Sequence, residues 1–501
     1  MKSSKLNAPL LLAIDQGTSS SRAILFNANA QTVAQHQIAL PLSYPNSGWV
    51  EQDAEQIWRD TLQCCQRVLA GAKRLEATVA IGIANQRETT VVWDKISGKP
   101  IYNAIVWQDR RTADDCQRLQ AQGHETSVNE KTGLRLDPYF SATKIAWLLD
   151  HVDGARRQAE AGELLFGTID SFLLWHLTDG KVHATDRSNA SRTLLLNIHR
   201  GEWDDELLDL FDIPRSMLPQ VFDNVADFGM TAAHIFGSSI PIKAMIGDQQ
   251  AALVGQACFQ QGMVKSTYGT GCFMLMNTGH KAVRSTHRLL TTIAYSIEGE
   301  CHYALEGSIF VAGAAIQWLR DGLALFEQAS DTEALAQQLD DNQGVYFVPA
   351  LTGLGAPYWR PDVRGAIVGL GHDTGSAHIA RAALEAQAYQ TRDLMTAMRS
   401  DTGITQSVMR VDGGLVVNQF VCQFLADILQ TPIDVPAVTE ATAWGAASLA
   451  GLGAGVFADL DGIAEQWQKQ QHYAVHMSNQ KADALYGGWQ QAVQSLLSEK
   501  I

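Results

Sequence analysis

Short apolar runs interrupted by glycine-rich turns open both halves of this chain. PLLLAID (9–15) and RAILFNA (22–28) flank a Gly/Thr/Ser turn, and QTVAQHQIAL (31–40) extends them as a third strand of an antiparallel meander. A helix is predicted to begin near Asp53, whose side chain can cap it with Gln56 three residues on. Behind it Ile57, Trp58, Cys65, Val68 and Leu69 recur at helical spacing. TVAIGIA (78–84), TTVVWD (89–94) and PIYNAIVW (100–107) read as further strands. The second half repeats the opening, with VKSTYGTGCFMLMN (264–277) reading strand, turn, strand. Helical stretches follow at 309–321, 376–398, 417–429 and 440–451, and a strand at 408–412 runs into Gly413 and Gly414. Strands mixed with helices in this order predict an α/β protein whose first sheet has an antiparallel part.

At 501 residues the chain is too long for one ordinary core, and the internal echo favours two large lobes. The boundary is expected near 250–262, just after IGDQQAALVGQ (246–256), with ordered structure joining lobes that can hinge. Apolar residues at 46% and charged ones at 18%, without a low-complexity tract, predict a globular chain with a large core. A net charge of −15 with no cluster of Lys or Arg argues against nucleic acid and anionic membrane as partners. The seven cysteines lack CxxC spacing, so they predict buried thiols of a reducing compartment rather than a disulfide framework or zinc site. MKSSKLNAPLLLAID has too short an apolar stretch for a signal peptide and reads as a first strand, and no run is long enough to cross a membrane.

The two turns, AIDQGTSSSR (13–22) and STYGTGCF (266–273), carry the clearest chemistry. Each follows a β-rich run and offers backbone N–H groups and hydroxyls that can wrap a phosphate chain from one side. Beside the first, Asp15 can anchor Mg²⁺, Thr18, Ser19 and Ser20 can contact phosphate oxygens, and Arg22 can offset developing charge. In the second, Gly269, Thr270 and Gly271 can grip from the opposite side. Taken singly, either turn is also an ordinary polar hairpin. Asp248 and Gln249 follow an apolar strand end, where Asp248 reads equally as a proton acceptor in phosphoryl transfer or as a helix N-cap.

Arg87 and Glu88 stand together between two apolar strands and suit the hydroxyls of a small polyol, or else pair with each other at a sheet edge. Trp107 and Tyr139 can wall a small pocket, although aromatic residues more often fill cores. For a nucleoside, Gly414 allows close approach and Asn418 supplies an amide, while Gly313 and Gln317 lie four apart on one helix face; helix packing is the plainer reading of both pairs. His234, in TAAHIFGSSIPI, is the one histidine weighed for regulation, and an exposed loop histidine is its plainer reading.

AIDQGTSSSR, ANQRETT (84–90), IGDQQAAL (246–253), STYGTGCFMLMNTG (266–279) and RVDGG (410–414), with YFSATKIAWLLDH (139–151) and GAIVGLGHDTGSAHIARAALE (365–385), closely resemble the FGGY carbohydrate kinase family in its glycerol branch. The resemblance covers essentially the whole chain. It implies an α/β, duplicated actin-like (ribonuclease-H-like) ATPase fold with lobes at 1–255 and 256–501, and ATP, Mg²⁺ and glycerol in the cleft between them. The implied products are sn-glycerol 3-phosphate and ADP, in the first step of glycerol catabolism, by a cytoplasmic homodimer or homotetramer. Thr18, Ser19, Ser20 and Arg22 match the family's phosphate contacts, and Asp15 its magnesium anchor. Arg87, Glu88, Tyr139, Asp248 and Gln249 match the glycerol set, with Asp248 as general base and Trp107 and Phe273 as the apolar wall. Thr270, Gly313, Gln317, Gly414 and Asn418 match the nucleotide set.

Some family features differ here. Members inhibited by fructose 1,6-bisphosphate carry an Arg where this chain has Ser239, so that regulation is not implied. YAVHMSN (473–479) lacks the Phe-Arg-Pro-Gly-Ile stretch with which some members bind a sugar-transport regulator. HIFGSSIPI resembles the loop carrying a phosphorylatable histidine in other bacterial members, which makes His234 a candidate acceptor.

Overall fold

Each predicted hairpin seeds a sheet. In the first, Leu10–Gln16 pairs antiparallel with Ser20–Asn27, and that strand with Thr32–Ala39; the opposite side of Leu10–Gln16 runs parallel to Thr78–Asn85, which runs parallel to Ile242–Gly247. In the second, Val264–Tyr268 pairs antiparallel with Cys272–Gly279, followed by Glu300–Ile309 and Leu290–Ile297. Its opposite side runs parallel to Met409–Asp412 and then Ile433–Pro436, with Lys469–Tyr473 at the edge. Both sheets are thus one meander plus two parallel strands. The central strands are buried on both faces, which is why LLLAID and VKSTY read as nearly unbroken apolar or small-residue runs. These statements rest on a computed structural model that describes residues 9–498 apart from Gly71 and Ser407; the lysine-bearing stretch 1–8, weighed above as a leader, lies outside it.

Two helices join the sheets. Asp248–Gly255 leaves the first sheet's strand Ile242–Gly247, and Ala441–Gly453 follows the second sheet's strand Ile433–Pro436. They cross backbone on backbone: a Cβ on Gly255 would lie 1.9 Å from the Ala441 carbonyl oxygen, and one on Gly445 would lie 1.9 Å from that of Ala251. Gly82, in the first sheet, is pressed against the same helix, its absent Cβ 2.0 Å from the Ala446 oxygen. The helix of the second half therefore packs on the sheet of the first. The core around this crossing is largely alanine, from Ala13, Ala80 and Ala84 to Ala443, Ala446, Ala447 and Ala450, because larger side chains would hold the elements apart.

Residues between the parallel strands Thr78–Asn85 and Ile242–Gly247 form small sheets and helices around Leu134, Phe140, Leu148 and Phe166. Leu290, Ile293 and Tyr303 of the second sheet enter that same core, so apolar burial spans the two halves.

Several predicted boundaries move. The expected strand 89–94 is Val91–Asp94, paired with Leu164–Gly167 outside the main sheet. Arg87 and Glu88 bend the chain just before it, and Thr90 instead bridges antiparallel to Ile105, its N donating to the Ile105 carbonyl at 2.9 Å and its hydroxyl to that of Glu88. The expected strand 100–107 shrinks to Ala104–Ile105, because Tyr102 and Asn103 instead donate to the Glu51 carboxylate, each at 2.9 Å. The helix expected at 417 begins at Gln419, since Asn418 caps it by accepting from Val421 N. The predicted cap at Asp53 is present, accepting from Gln56 N at 3.1 Å. The cysteines are all free, and all are buried except the half-buried Cys301.

The crossing makes a stability prediction. Gly445→Ala should destabilise by about 1–3 kcal/mol or more through forced backbone separation. Gly487→Ala, in a helix with open space beyond its Cα, should stabilise by roughly 0.5–1 kcal/mol. Denaturant unfolding of both variants checks the sign of each.

Candidate active site

The first turn closes through Gly17 N donating to the Ser20 carbonyl at 2.9 Å, leaving Ser19 exposed and Thr18 half-buried. The Thr18 hydroxyl is held by Trp107, whose Nε1 donates to it at 2.9 Å. Asp15, at the strand end, is buried and paired with Arg22, which also donates to Glu440 at 2.6 Å. Burial raises the Asp15 carboxyl above its ordinary range, and Arg22 works against the rise.

The second turn is mirrored by a helix end. Gly313 N donates to the Gly269 carbonyl at 3.0 Å, and Ala312 N and Ala314 N donate to that of Thr270 at 2.9 and 3.1 Å. Any Cβ on Gly313 would lie 2.6 Å from the Gly269 oxygen, so glycine is required there for the helix Gly313–Asp321 to dock. Gln317 is exposed one turn further along that helix. Gly413 has φ +98° and passes so near the Tyr268 backbone that a Cβ would lie 2.4 Å from its oxygen, which brings the exposed Gly414 beside the turn. Asn418 is buried with its oxygen in a helix cap, and its amide nitrogen donates to Thr332 at 3.4 Å.

Between the turns lies the charged group. Asp248 is the first residue of its helix, with Gly247 at the cap position, so the N-cap reading does not hold. Its carboxylate accepts from Gln249 N at 2.6 Å and stands 3.3 Å from Arg87 Nε. The Asp248 side chain is 26% exposed while that of Arg87 is 2% exposed, so the carboxylate is the part open to a ligand. Burial raises the Asp248 carboxyl, Arg87 and Lys265 oppose that rise, and the charge of Asp15 adds to it. The last effect places the first turn within electrostatic reach of Asp248.

Glu88 takes φ +61°, rare for a residue with a side chain, and is buried beside Arg87. The two do not pair closely, being 3.8 Å apart. Arg87 Nη1 instead donates to Glu306 Oε2 at 2.5 Å, and Arg192 Nε donates to Glu88 Oε1 at 2.6 Å. Arg87 Nη2 lies 3.3 Å from the Tyr139 hydroxyl. Trp107 packs edge-on against Tyr139 and Phe273, with centroids 5.6 and 6.0 Å apart, and the Arg87 guanidinium sits 5.9 Å from the Phe273 ring. Gln249 accepts from Lys265 Nζ at 2.6 Å. Arg87, Glu88, Trp107, Tyr139, Asp248, Gln249 and Phe273 are thus brought together. His234 is exposed on the short helix Ala233–Phe236, beside Gln66 and Leu177 and apart from this group.

Arg192, Lys265 and Glu306 escape the sequence reading. Glu306 and Lys265 are lone charges inside apolar strands, and that isolation was the available signal. Arg192 sits in SNASRTLLLN, which reads as an ordinary loop.

Two sheets of one plan, joined by crossing helices and presenting paired hairpin turns to a half-open carboxylate, define a phosphotransferase of the actin-like, ribonuclease-H-like class. The chain matches the FGGY family of carbohydrate kinases, its N-terminal domain over residues 10–255 and its C-terminal domain over 264–454. It belongs to that family. It is 59% identical over 492 residues to a glycerol kinase of Nitrosomonas eutropha, covering 98% of this chain and 99% of that one. A glycerol kinase 1 of Pseudomonas aeruginosa is 59% identical over 491 residues, with the same coverage. The crystal structure of Plasmodium falciparum glycerol kinase with ADP superposes with a TM-score of 0.92 at 36% identity, covering 98% of this chain and 99% of that one. Ligand-bound xylulose kinase from Lactobacillus acidophilus, 21% identical, shares the fold with a TM-score of 0.87 over 98% of this chain and 99% of that one.

Because Trp107 ties the aromatic wall to Thr18, Trp107→Phe should keep the packing but free the turn. ADP affinity is expected to fall about two- to tenfold, the worth of one hydrogen bond. Calorimetric titration with ADP measures it, and an unchanged affinity would show that the bond does not hold the turn.

Proposed function

We propose that this chain transfers the γ-phosphoryl group of ATP to a terminal hydroxyl of glycerol, giving sn-glycerol 3-phosphate and ADP. The observation that carries the reading is the cluster of Arg87, Glu88, Tyr139 and Asp248 against the aromatic rings of Trp107 and Phe273, beside two phosphate-type turns. A three-carbon polyol offers little surface to bury, so its orientation has to come from charge-assisted hydrogen bonds. Arg87 donates to and Glu88 accepts from its hydroxyls, and Asp248 accepts the proton of the attacking one. The nearby Arg87 opposes the rise that burial imposes on the Asp248 carboxyl. Backbone N–H groups of both turns, the Thr18, Ser19, Ser20 and Thr270 hydroxyls, and Arg22 hold the phosphates. Gly313, Gln317 and Gly414 border the nucleoside, and Asn418 fixes the helix beside it.

Asp15 suits Mg²⁺ as a hard oxygen ligand whose charge only Arg22 counters closely. Among the described residues no group of three or more His, Cys, Asp or Glu side chains could hold a metal; Asp15 would hold the ion as a single carboxylate, leaving room for phosphate oxygens and water. When bound, the ion neutralises charge on the transferring phosphoryl group. The reading includes lobes at 1–255 and 256–501 and a cytoplasmic homodimer or homotetramer; no helix among the described residues is long and apolar enough to cross a membrane.

The test is glycerol-dependent ADP release in a coupled assay, run beside five-carbon polyols. Turnover that responds to a pentitol and not to glycerol would overturn the substrate assignment. Asp248→Asn should lower kcat about 10²–10⁴-fold while ADP binding persists; near-normal turnover would remove Asp248 from the role. Since protonated Asp248 accepts nothing and its carboxyl is raised, kcat/KM should fall with decreasing pH through a limb lying above the ordinary aspartate range.

A further inference from the structure

Glu306 stands in the middle of Glu300–Ile309, opposite Leu275 on one side and Leu290 on the other, fully buried in the second sheet. A carboxylate there is costly unless its charge is matched. Both oxygens are engaged: Oε2 accepts from Arg87 Nη1 at 2.5 Å, and Oε1 accepts from Arg87 Nη2 at 3.2 Å and Arg192 Nη2 at 2.8 Å. Against the upward pull of burial, Arg192 and Arg87 bring its carboxyl down to about 2. Arg192 in turn donates through Nε to Glu88 and lies over Tyr139 and Phe140, 5.4 and 5.2 Å from their ring centroids.

Every charged or hydroxyl-bearing residue assigned to the polyol on the Arg87 side therefore touches Glu306 or Arg192. Arg87 is walled in further, since it donates to Gln250 at 3.2 Å and a Cβ on Gly247 would lie 2.8 Å from its Cγ. What stays uncommitted is the edge that faces Asp248, together with the second Glu88 oxygen, for which no donor stands among the described residues.

We propose that Arg192 and Glu306 are positioning residues that set polyol affinity, a clamp in which the second lobe's Glu306 orients the first lobe's Arg87 while Arg192 orients Glu88 and Tyr139. The clamp rests on the glycerol reading above. It makes the polyol pocket complete only when both lobes stand as they do here, so substrate affinity depends on lobe arrangement. The nucleotide turns share no member of the clamp.

Arg192→Lys keeps the cation but cannot serve two carboxylates as a planar fork. Glu306→Asp keeps the anion but shortens its reach. For each variant, glycerol KM is expected to rise about tenfold or more, the effect of misplacing charged hydrogen bonds, while ATP KM stays within about twofold and the thermal midpoint shows a folded protein. A folded Arg192→Lys with wild-type glycerol KM, or with glycerol and ATP KM raised equally, would overturn the clamp. If one variant fails to fold, the other decides. Wild-type enzyme that releases no ADP in response to glycerol would overturn the substrate reading and the clamp with it, whereas an active wild type with unaffected variants would sink the clamp alone.

Discussion

The dehydration of four charges at the junction of the lobes constrains the rest of the site. Arg87, Glu88, Arg192 and Glu306 are each at most 2% exposed. An unpaired ion in such a place costs several kcal/mol, and removing one partner of a buried pair typically costs about 3–5 kcal/mol. Two guanidinium groups and two carboxylates close the account without net charge, although Arg192 Nη1 finds no partner among the described residues. The pairing ties strand Glu300–Ile309 to the turn that follows Thr78–Asn85, where Glu88 holds its left-handed backbone.

Asp248 profits from the opposite arrangement. It begins a helix, where the dipole favours a negative charge, and it faces Arg87 with Lys265 near, yet it keeps a quarter of its side chain open. Lys265 comes from the second sheet and is itself lowered by burial, with Asp412 and Asp248 opposing. The Asp248 carboxylate is thus tuned by residues of both halves, although its own helix belongs to the first.

What could be read in the chain was local. Turns, strand runs, the Asp53 cap and the cluster NQRET depend on residues close together, and the structure keeps them. The pairing of Arg87 with Glu306 spans 219 positions and that of Glu88 with Arg192 spans 104, and no periodicity signals either. The mutual Arg87–Glu88 pair expected from adjacency is present at 3.8 Å, but each residue has a closer partner that adjacency does not reveal. Tyr102 and Asn103 left their predicted strand for the same reason, drawn to a carboxylate about fifty positions back. Asn418 caps the helix that begins beside it, a local role that the sequence pattern there did not single out.

The contact among Gly82, Gly255 and Gly445 has an evolutionary corollary. Where main chain meets main chain there are no rotamers to freeze, so the joint between the halves has little that substitution can soften or stiffen. Adaptation to cold or heat must then act at the periphery, on pairs such as Arg284 with Glu130, which join the two halves through long side chains that are more than half exposed. The axle would be inherited unchanged, and the latches around it would drift.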